Sequence, residues 1–311
     1  MLEEINLQED RISLQKIIGA SVADSTRKKY EILWERWVTY AKSHRMDILP
    51  ARPQDIVLFF ARLSRSRCKT VCAATSAAIS WFHLASGFDS PTSSPFVRTT
   101  LAGIKRLFAS PPRRMEPLTL ELIKKVVNDQ GYKLEDWQFK FYCVIAFFGF
   151  FRFSDMVHFK VLDVRIINET LIITVPRSKT DQYRAGASVY LAANVVDVFV
   201  CPVAVTRIYF QQLAAAGYGE ETLVLVNIKE KYKIMTNAVL LKKLRSSLKL
   251  WVKNPARFSL HSFRIGGATA AANAKVSREM IATHGRWQSQ CVNRYIEQDK
   301  VSRLSVTKAM F

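Results

Sequence analysis

The sequence predicts an α+β fold: a mainly helical chain of two domains with one small antiparallel sheet. Three observations lead there. At 311 residues the chain exceeds what a single core usually holds. Apolar residues recur at helical spacing along most of its length. Between two helical stretches lie three short runs, VRIIN, TLIITV and SVYLA, with the composition of strands. Hydrophobic residues at 49% and charged residues at 23% are ordinary for a folded globular chain.

Taken in order, residues 1–20 form a polar, acidic N-terminal extension, MLEEINLQEDR, unlike a secretory signal. Residues 21–110 are expected to fold as a helical domain. Ser25 is placed to cap a helix over TRKKYEILWERWVTYAKSH, whose Tyr30, Leu33, Trp34, Trp37, Val38 and Ala41 share one face. Pro50 and Pro53 interrupt the pattern, and QDIVLFFARLSRS resumes it. Further helices fit KTVCAATSAAISWFHLAS and SPFVRTTLAGIKRLFAS. Residues 111–117, PPRRMEP, read as an extended linker.

Residues 118–311 form the second domain. LTLELIKKVVNDQGY and LEDWQFKFYCVIAFFGFF are helical, and the near-absence of polar residues late in the latter places it at the centre. After the sheet come helices over CPVAVTRIYFQQLAAAG and NAVLLKKLRSSLKLWVK, then an Ala-rich helical stretch, GGATAAANAK. The longest apolar run, FYCVIAFFGFF from Phe141 to Phe151, is too short to cross a membrane. Five cysteines, an odd count in a long chain, suggest a reducing, intracellular compartment rather than a disulfide framework. Cys68, Cys72 and His83 lack the paired spacing of a zinc site.

Charge is the unusual feature. Lys and Arg number 46 against 26 Asp and Glu, a formal net of +20. That excess calls for an anionic partner, and duplex nucleic acid is the foremost. Arg98, Lys105, Arg106, Arg113 and Arg114, around the linker, are the expected DNA-binding residues. Arg113 and Arg114 would equally suit a solvated hinge.

Four local features carry chemistry together. Arg152 ends a buried apolar stretch, where a cation is costly without an anion, either a substrate or Asp155. Lys179 lies between two strands in PRSKTDQ. His261 and Arg264 in LHSFRIGGAT are three apart, on one face of a helix. Trp287 and Tyr295 fall in THGRWQSQCVNRYIE. Each alone is as readily structural. As a set they answer one problem: breaking a phosphodiester without a metal needs a nucleophile, cationic donors for the non-bridging oxygens and an acid for the leaving group. Arg152 and Arg264 are the cations, His261 a hydrogen-bond donor or proton carrier, Lys179 the acid and Tyr295 the nucleophile. No cluster of carboxylates of the kind a two-metal nuclease uses accompanies them, and Asp155 and Asp163 read as structural partners.

The order Arg, Lys, His-x-x-Arg, His or Trp, Tyr resembles the tyrosine recombinase (phage-integrase-like) family. Trp287 follows Arg264 by 23 positions and Tyr295 follows Trp287 by 8, close to that family's spacing. The phrases FFGFFRFSD, HSFRIGGAT and GRWQSQCVNRYI look most like recombinases of eukaryotic DIRS-type retroelements and cryptons. The resemblance covers nearly all of the chain from about Ser21. It implies a helical core-binding domain followed by a catalytic domain that cleaves and rejoins double-stranded DNA through a 3′-phosphotyrosine. Arg152 and Arg264 would clamp the scissile phosphate, and Trp287 would fill a position often held by histidine. His284, three residues earlier, is the alternative holder of that role. The family resemblance also implies no cofactor or metal, a nuclear location in a eukaryotic host, and a tetramer on paired DNA sites joined through the C-terminal tail. Two rival readings stay open: a type IB topoisomerase-like enzyme, and a catalytically retired DNA-binding protein derived from a mobile element.

Overall fold

A computed structural model of the chain describes residues 7–65, 69–109, 114–175, 187–228, 230, 233–287, 292, 295 and 308. It divides into two compact units, Met1–Pro112 and Arg113–Phe311.

Among the described residues the first unit holds five α-helices: α1 (Leu7–Ala20), α2 (Asp24–Ser43), α3 (Pro53–Ser64), α4 (Lys69–Ala85) and α5 (Pro95–Leu107). The N-terminal extension is therefore helical from Leu7. Ser25 does not cap α2. That helix starts one residue earlier, at Asp24, and its N-cap Ala23 offers no side-chain acceptor. An acidic residue in the first turn suits the helix dipole, and Asp24 pairs with Arg27 at 3.3 Å. Prolines open α3 and α5, where a missing N–H costs nothing. The core gathers Trp37, Ile56, Phe60, Ile79, Val97 and Ile104. His83 is structural: Ala51 N–H donates to its Nε2 at 2.8 Å, so its Nδ1 donates to the Ile79 carbonyl, also at 2.8 Å. On α5, Val97 and Ile104 turn inward while Arg98, Lys105 and Arg106 are exposed on the opposite side.

The second unit is built around α7 (Leu134–Phe148), in which every residue from Trp137 to Phe147 is buried. Of its polar members, Gln138 is satisfied, its Nε2 donating to the Tyr209 hydroxyl at 3.0 Å and the Val226 carbonyl at 2.9 Å. Around it lie α6 (Leu120–Asn128), the single turn α8 (Phe153–Met156), α9 (Pro202–Ala215), α10 (Asn237–Leu248), α11 (Ser262–Asn273) and α12 (Arg278–His284).

The three strand-like runs form the expected sheet. β1 (Val164–Ile167), β2 (Thr170–Val175) and β3 (Ala187–Ala192) are antiparallel in that order. Asn168 and Glu169 both take positive φ, 45° and 56°, as a two-residue hairpin turn that matches strand twist requires. Leu171 pairs with Leu191 and Ile173 with Val189, so one face of the sheet is apolar and buried. Within 114–118, Glu116 N–H donates to the Arg257 carbonyl and Leu118 N–H to the Ser262 carbonyl. The end of the expected linker is thus tied to the second unit, beside the start of α11.

Among the described residues no helix is long and apolar enough to cross a membrane.

Candidate active site

The site forms where the segment after α7, the N-terminus of α11 and the segment after α12 meet. The first and last of these each contain an unusual backbone turn. Past α7, Phe150 takes a φ of 48°, a left-handed conformation rare for a bulky residue. Such a residue costs about 1–3 kcal/mol and persists where packing over-determines it. Here its ring meets His284 at 4.7 Å and Trp287 at 6.2 Å between centroids. After α12, Arg286 takes a φ of 57°.

Arg264, in the first turn of α11, is 0% exposed. Its guanidinium donates from Nη1 to the Phe150 carbonyl and from Nη2 to the Gly285 carbonyl, the latter at 2.7 Å. One side chain thereby ties the segment after α7 to the segment after α12. Two glycines in the next turn let α11 come this close. A Cβ on Gly266 would stand 1.8 Å from the Leu118 carbonyl oxygen, and one on Gly267 2.1 Å from that of Phe147. Burial first, then the charges of Arg152 and Arg286, pull the Arg264 guanidinium below its usual range. Negative charge at Tyr295 or Asp155 acts the other way.

Tyr295 lies against this arginine. The guanidinium carbon is 5.3 Å from the Tyr295 ring centroid and 4.1 Å from that of Trp287. Trp287 and Tyr295 rings are 4.9 Å apart, and the His261 ring is 5.2 Å from Tyr295. His261 is the N-cap residue of α11, so the His-x-x-Arg spacing does put both side chains on one face. Burial, with Arg264 and then Arg152 behind it, lowers the His261 imidazole to about 4. It is neutral at physiological pH.

Arg152 precedes α8 and approaches Asp155 at 3.8 Å. Asp155 also accepts from the Arg152 backbone N–H at 3.3 Å, and Asp163 from that of Lys160 at 2.8 Å. Both carboxylates act as the structural partners that the sequence suggests. His284 Nε2 donates to the Phe148 carbonyl at 2.7 Å and is thereby engaged with the backbone. Lys179, Arg113 and the tail apart from Lys308 lie outside the described residues; Arg114 is exposed.

One participant escaped sequence reasoning. Arg286 packs over the Phe151 ring at 4.3 Å and donates from Nη1 to the carbonyls of His284 at 3.2 Å and Gly149 at 3.4 Å. Nothing in GRWQ marks it, because an arginine in a loop is ordinarily solvated; the turn at its own Cα directs it inward. Three buried donors of the site have no acceptor among the described residues: Arg264 Nε, Arg286 Nη2 and Trp287 Nε1. Leaving such a donor unpaired costs about 1–3 kcal/mol, so together they describe a place prepared for an oxygen-rich anion. Among the described residues no three His, Cys, Asp or Glu side chains gather to hold a metal.

No family model matches the chain. The integrase/recombinase xerD homolog of Selenomonas ruminantium is 25% identical over 312 residues, spanning 97% of this chain and 90% of that protein. A lambda integrase dimer bound to a COC′ core site superposes with a TM-score of 0.60 at 14% identity, covering 94% of this chain and 78% of that one. The Tn1549 transposon integrase in complex with transposon right end DNA also gives 0.60, at 13% identity, covering 93% and 94%. The chain has the fold of the tyrosine recombinases.

Proposed function

We propose that this chain, a tyrosine recombinase by fold and by its curated relative, is a site-specific DNA recombinase that cleaves and rejoins strands through a 3′-phosphotyrosine at Tyr295. The observation that carries this reading is the meeting of Tyr295 with His261 and the buried Arg264 beside three idle donors. Tyr295 Oη attacks phosphorus while the bond to the 5′ oxygen breaks. The tyrosyl proton passes to a base, the role of the neutral His261 imidazole whose ring lies 5.2 Å from that of Tyr295, and the leaving oxygen takes a proton from Lys179. Arg152 and Arg264 hold the non-bridging oxygens, where charge builds in the transition state. Trp287 forms the wall on which Arg264 and Tyr295 lie, and His284 holds the segment after α7 in place.

Double-stranded DNA is the partner. The exposed Arg98, Lys105 and Arg106 on one side of α5, with Arg113 and Arg114, supply the phosphate footprint of a helical core-binding domain. Residues 118–311 serve as the catalytic domain. The kinship to DIRS-type and crypton recombinases, and a nuclear location, rest on the three sequence phrases alone. The tail after Tyr295 carries Ile296, Val301, Leu304, Val306, Met310 and Phe311, enough for one apolar helix face. A cavity of about 390 Å³ in the second unit, lined by Phe147, Phe148, Ala270, Ala271, Val276 and Met280, offers an apolar seat for the tail of a neighbouring subunit. Head-to-tail docking of that kind closes into the ring that a tetramer on paired sites needs.

The test is a suicide substrate nicked beside the scissile phosphate, cut from the terminal repeats flanking the gene. Wild type should give a covalent band on denaturing gels, and Tyr295→Phe none while still binding duplex. A band that persists in the variant, or never appears in wild type, removes the reading. Relaxation of supercoiled plasmid by the monomer would favour the topoisomerase-like alternative.

A further inference from the structure

Charge in the site does not balance. Arg152, Arg264 and Arg286 bring three guanidinium groups to one neighbourhood, where Arg152 and Arg286 act on Arg264 and Arg152 acts on Arg286, against the single carboxylate of Asp155. Among the described residues Arg152–Asp155 is the one ion pair these arginines make. One buried cation, Arg264, and one part-buried cation, Arg286, are left without an ion-pair partner among the described residues, a costly arrangement in the absence of a ligand. Arg286 is also half idle. Its Nη1 serves two backbone carbonyls, Phe151 lies beneath its plane, and its Nη2 is buried with no acceptor among the described residues. A residue kept only to tie the carbonyls of Gly149 and His284 together would not need a second buried donor. A phosphodiester brings one negative charge, and attack by a tyrosyl oxygen that has lost its proton brings a second. The transition state then carries two, matching the two uncompensated cations.

Building on the strand-exchange reading, we infer that Arg286 is a third phosphate-binding cation, its Nη2 donating to a non-bridging oxygen of the scissile phosphate as charge develops there. Arg264 and Arg286 approach from two elements that the Arg264–Gly285 hydrogen bond locks together, so the donors are fixed before DNA arrives.

Covalent-complex formation should be timed for wild type, Arg286→Ala and Arg286→Lys on two nicked duplexes. One carries the natural scissile phosphate. The other carries a methylphosphonate there, which replaces one charged oxygen by a methyl group. Arg286→Ala should be about 100-fold slower on phosphate, the usual loss for one transition-state donor. On methylphosphonate it should be only a few-fold slower, and Arg286→Lys should recover part of the loss. Equal losses on both duplexes would mean that Arg286 only holds the backbone, and would overturn the inference. A second measurement does not depend on cleavage. In spectra of ¹⁵N-arginine-labelled protein, the side-chain signal missing from Arg286→Lys should move in wild type as inorganic phosphate is added. A signal that stays put overturns the inference. A signal that moves, in a protein that never joins DNA, retires the strand-exchange reading and leaves the anion site standing.

Discussion

Helices α7 and α11 are packed against each other and are buried for opposite reasons. From Trp137 to Phe147, α7 is enclosed chiefly by apolar side chains, so its stabilisation is distributed over many van der Waals contacts. α11 buries an arginine and two glycines. Its position is set by how closely its backbone approaches Leu118 and Phe147, and by two carbonyls that accept from Arg264. The lesson is one of division. α7 supplies stability with little chemistry, and α11 supplies chemistry at a cost in stability that α7 offsets.

The largest expected effect tests the α7 half. Phe141→Ala should destabilise the fold by about 3–5 kcal/mol, as deletion of a buried aromatic ring generally does. The cleavage rate per folded molecule should stay within a few-fold of wild type. Denaturant unfolding and single-turnover rates on the same preparations would show it. A rate loss as large as that of Arg264→Ala would collapse the division.

Arg264→Ala tests the other half. Covalent-complex formation should fall about 100- to 1000-fold, the loss typical of one transition-state donor. Duplex affinity should change little, since Arg264 is one of 46 basic residues. Gel-shift affinities beside adduct rates decide it, and equal losses would move Arg264 to the general phosphate footprint. Gly267→Ala should fall between the two helices. The new methyl group would press on the Phe147 carbonyl and on the Phe150 ring, 2.6 Å away. Overpacking of this kind costs about 1–3 kcal/mol. Because the Phe150 carbonyl anchors Arg264, the rate should drop as well. Loss of stability alone would show that α11 can shift without disturbing the site.

How much of this was legible beforehand follows from the same division. α7 could be read because a nearly unbroken apolar run has one good destination, the core. The sheet could be read because three short runs of strand composition, VRIIN, TLIITV and SVYLA, stand between two helical stretches. His261, Arg264 and Tyr295 could be picked out because their spacing is tied to one chemistry. What stayed hidden depends on single backbone angles and on tertiary approach. Ser25 was a plausible cap until Asp24 took the first helical position. The left-handed turns at Phe150 and Arg286 have no sequence mark, since neither is glycine, and it is those turns that aim the Phe150 carbonyl at Arg264 and bring Arg286 into the site. The bond from His284, the alternative to Trp287, through its Nε2 to the Phe148 carbonyl likewise has no mark in the sequence.

The smallest expected effect is a pH dependence confined to the α11 side. His261 in the folded protein is lowered to about 4 by burial and by Arg264 and Arg152, whereas an unfolded histidine titrates near its ordinary value of about 6.5. Between those values the unfolded chain binds more protons than the folded one. Stability is therefore full above about 6.5 and is lost as pH falls from there towards 4. His284 and His83, both lowered mainly by burial, act in the same direction, so His261→Gln should remove only a share of the slope. Phe141→Ala, which changes no titrating group, should lower stability about equally at pH 7 and pH 5. Phosphate binding should reverse the pull on His261, because an anion placed among the arginines cancels the charges that disfavour the imidazolium. Binding of duplex near pH 5.5 should then take up a fraction of a proton through this ring. Calorimetric titrations in two buffers of different ionisation enthalpy measure that uptake directly. Wild type and His261→Gln should differ by that fraction, and identical uptake in the two would mean that the phosphate never comes near His261.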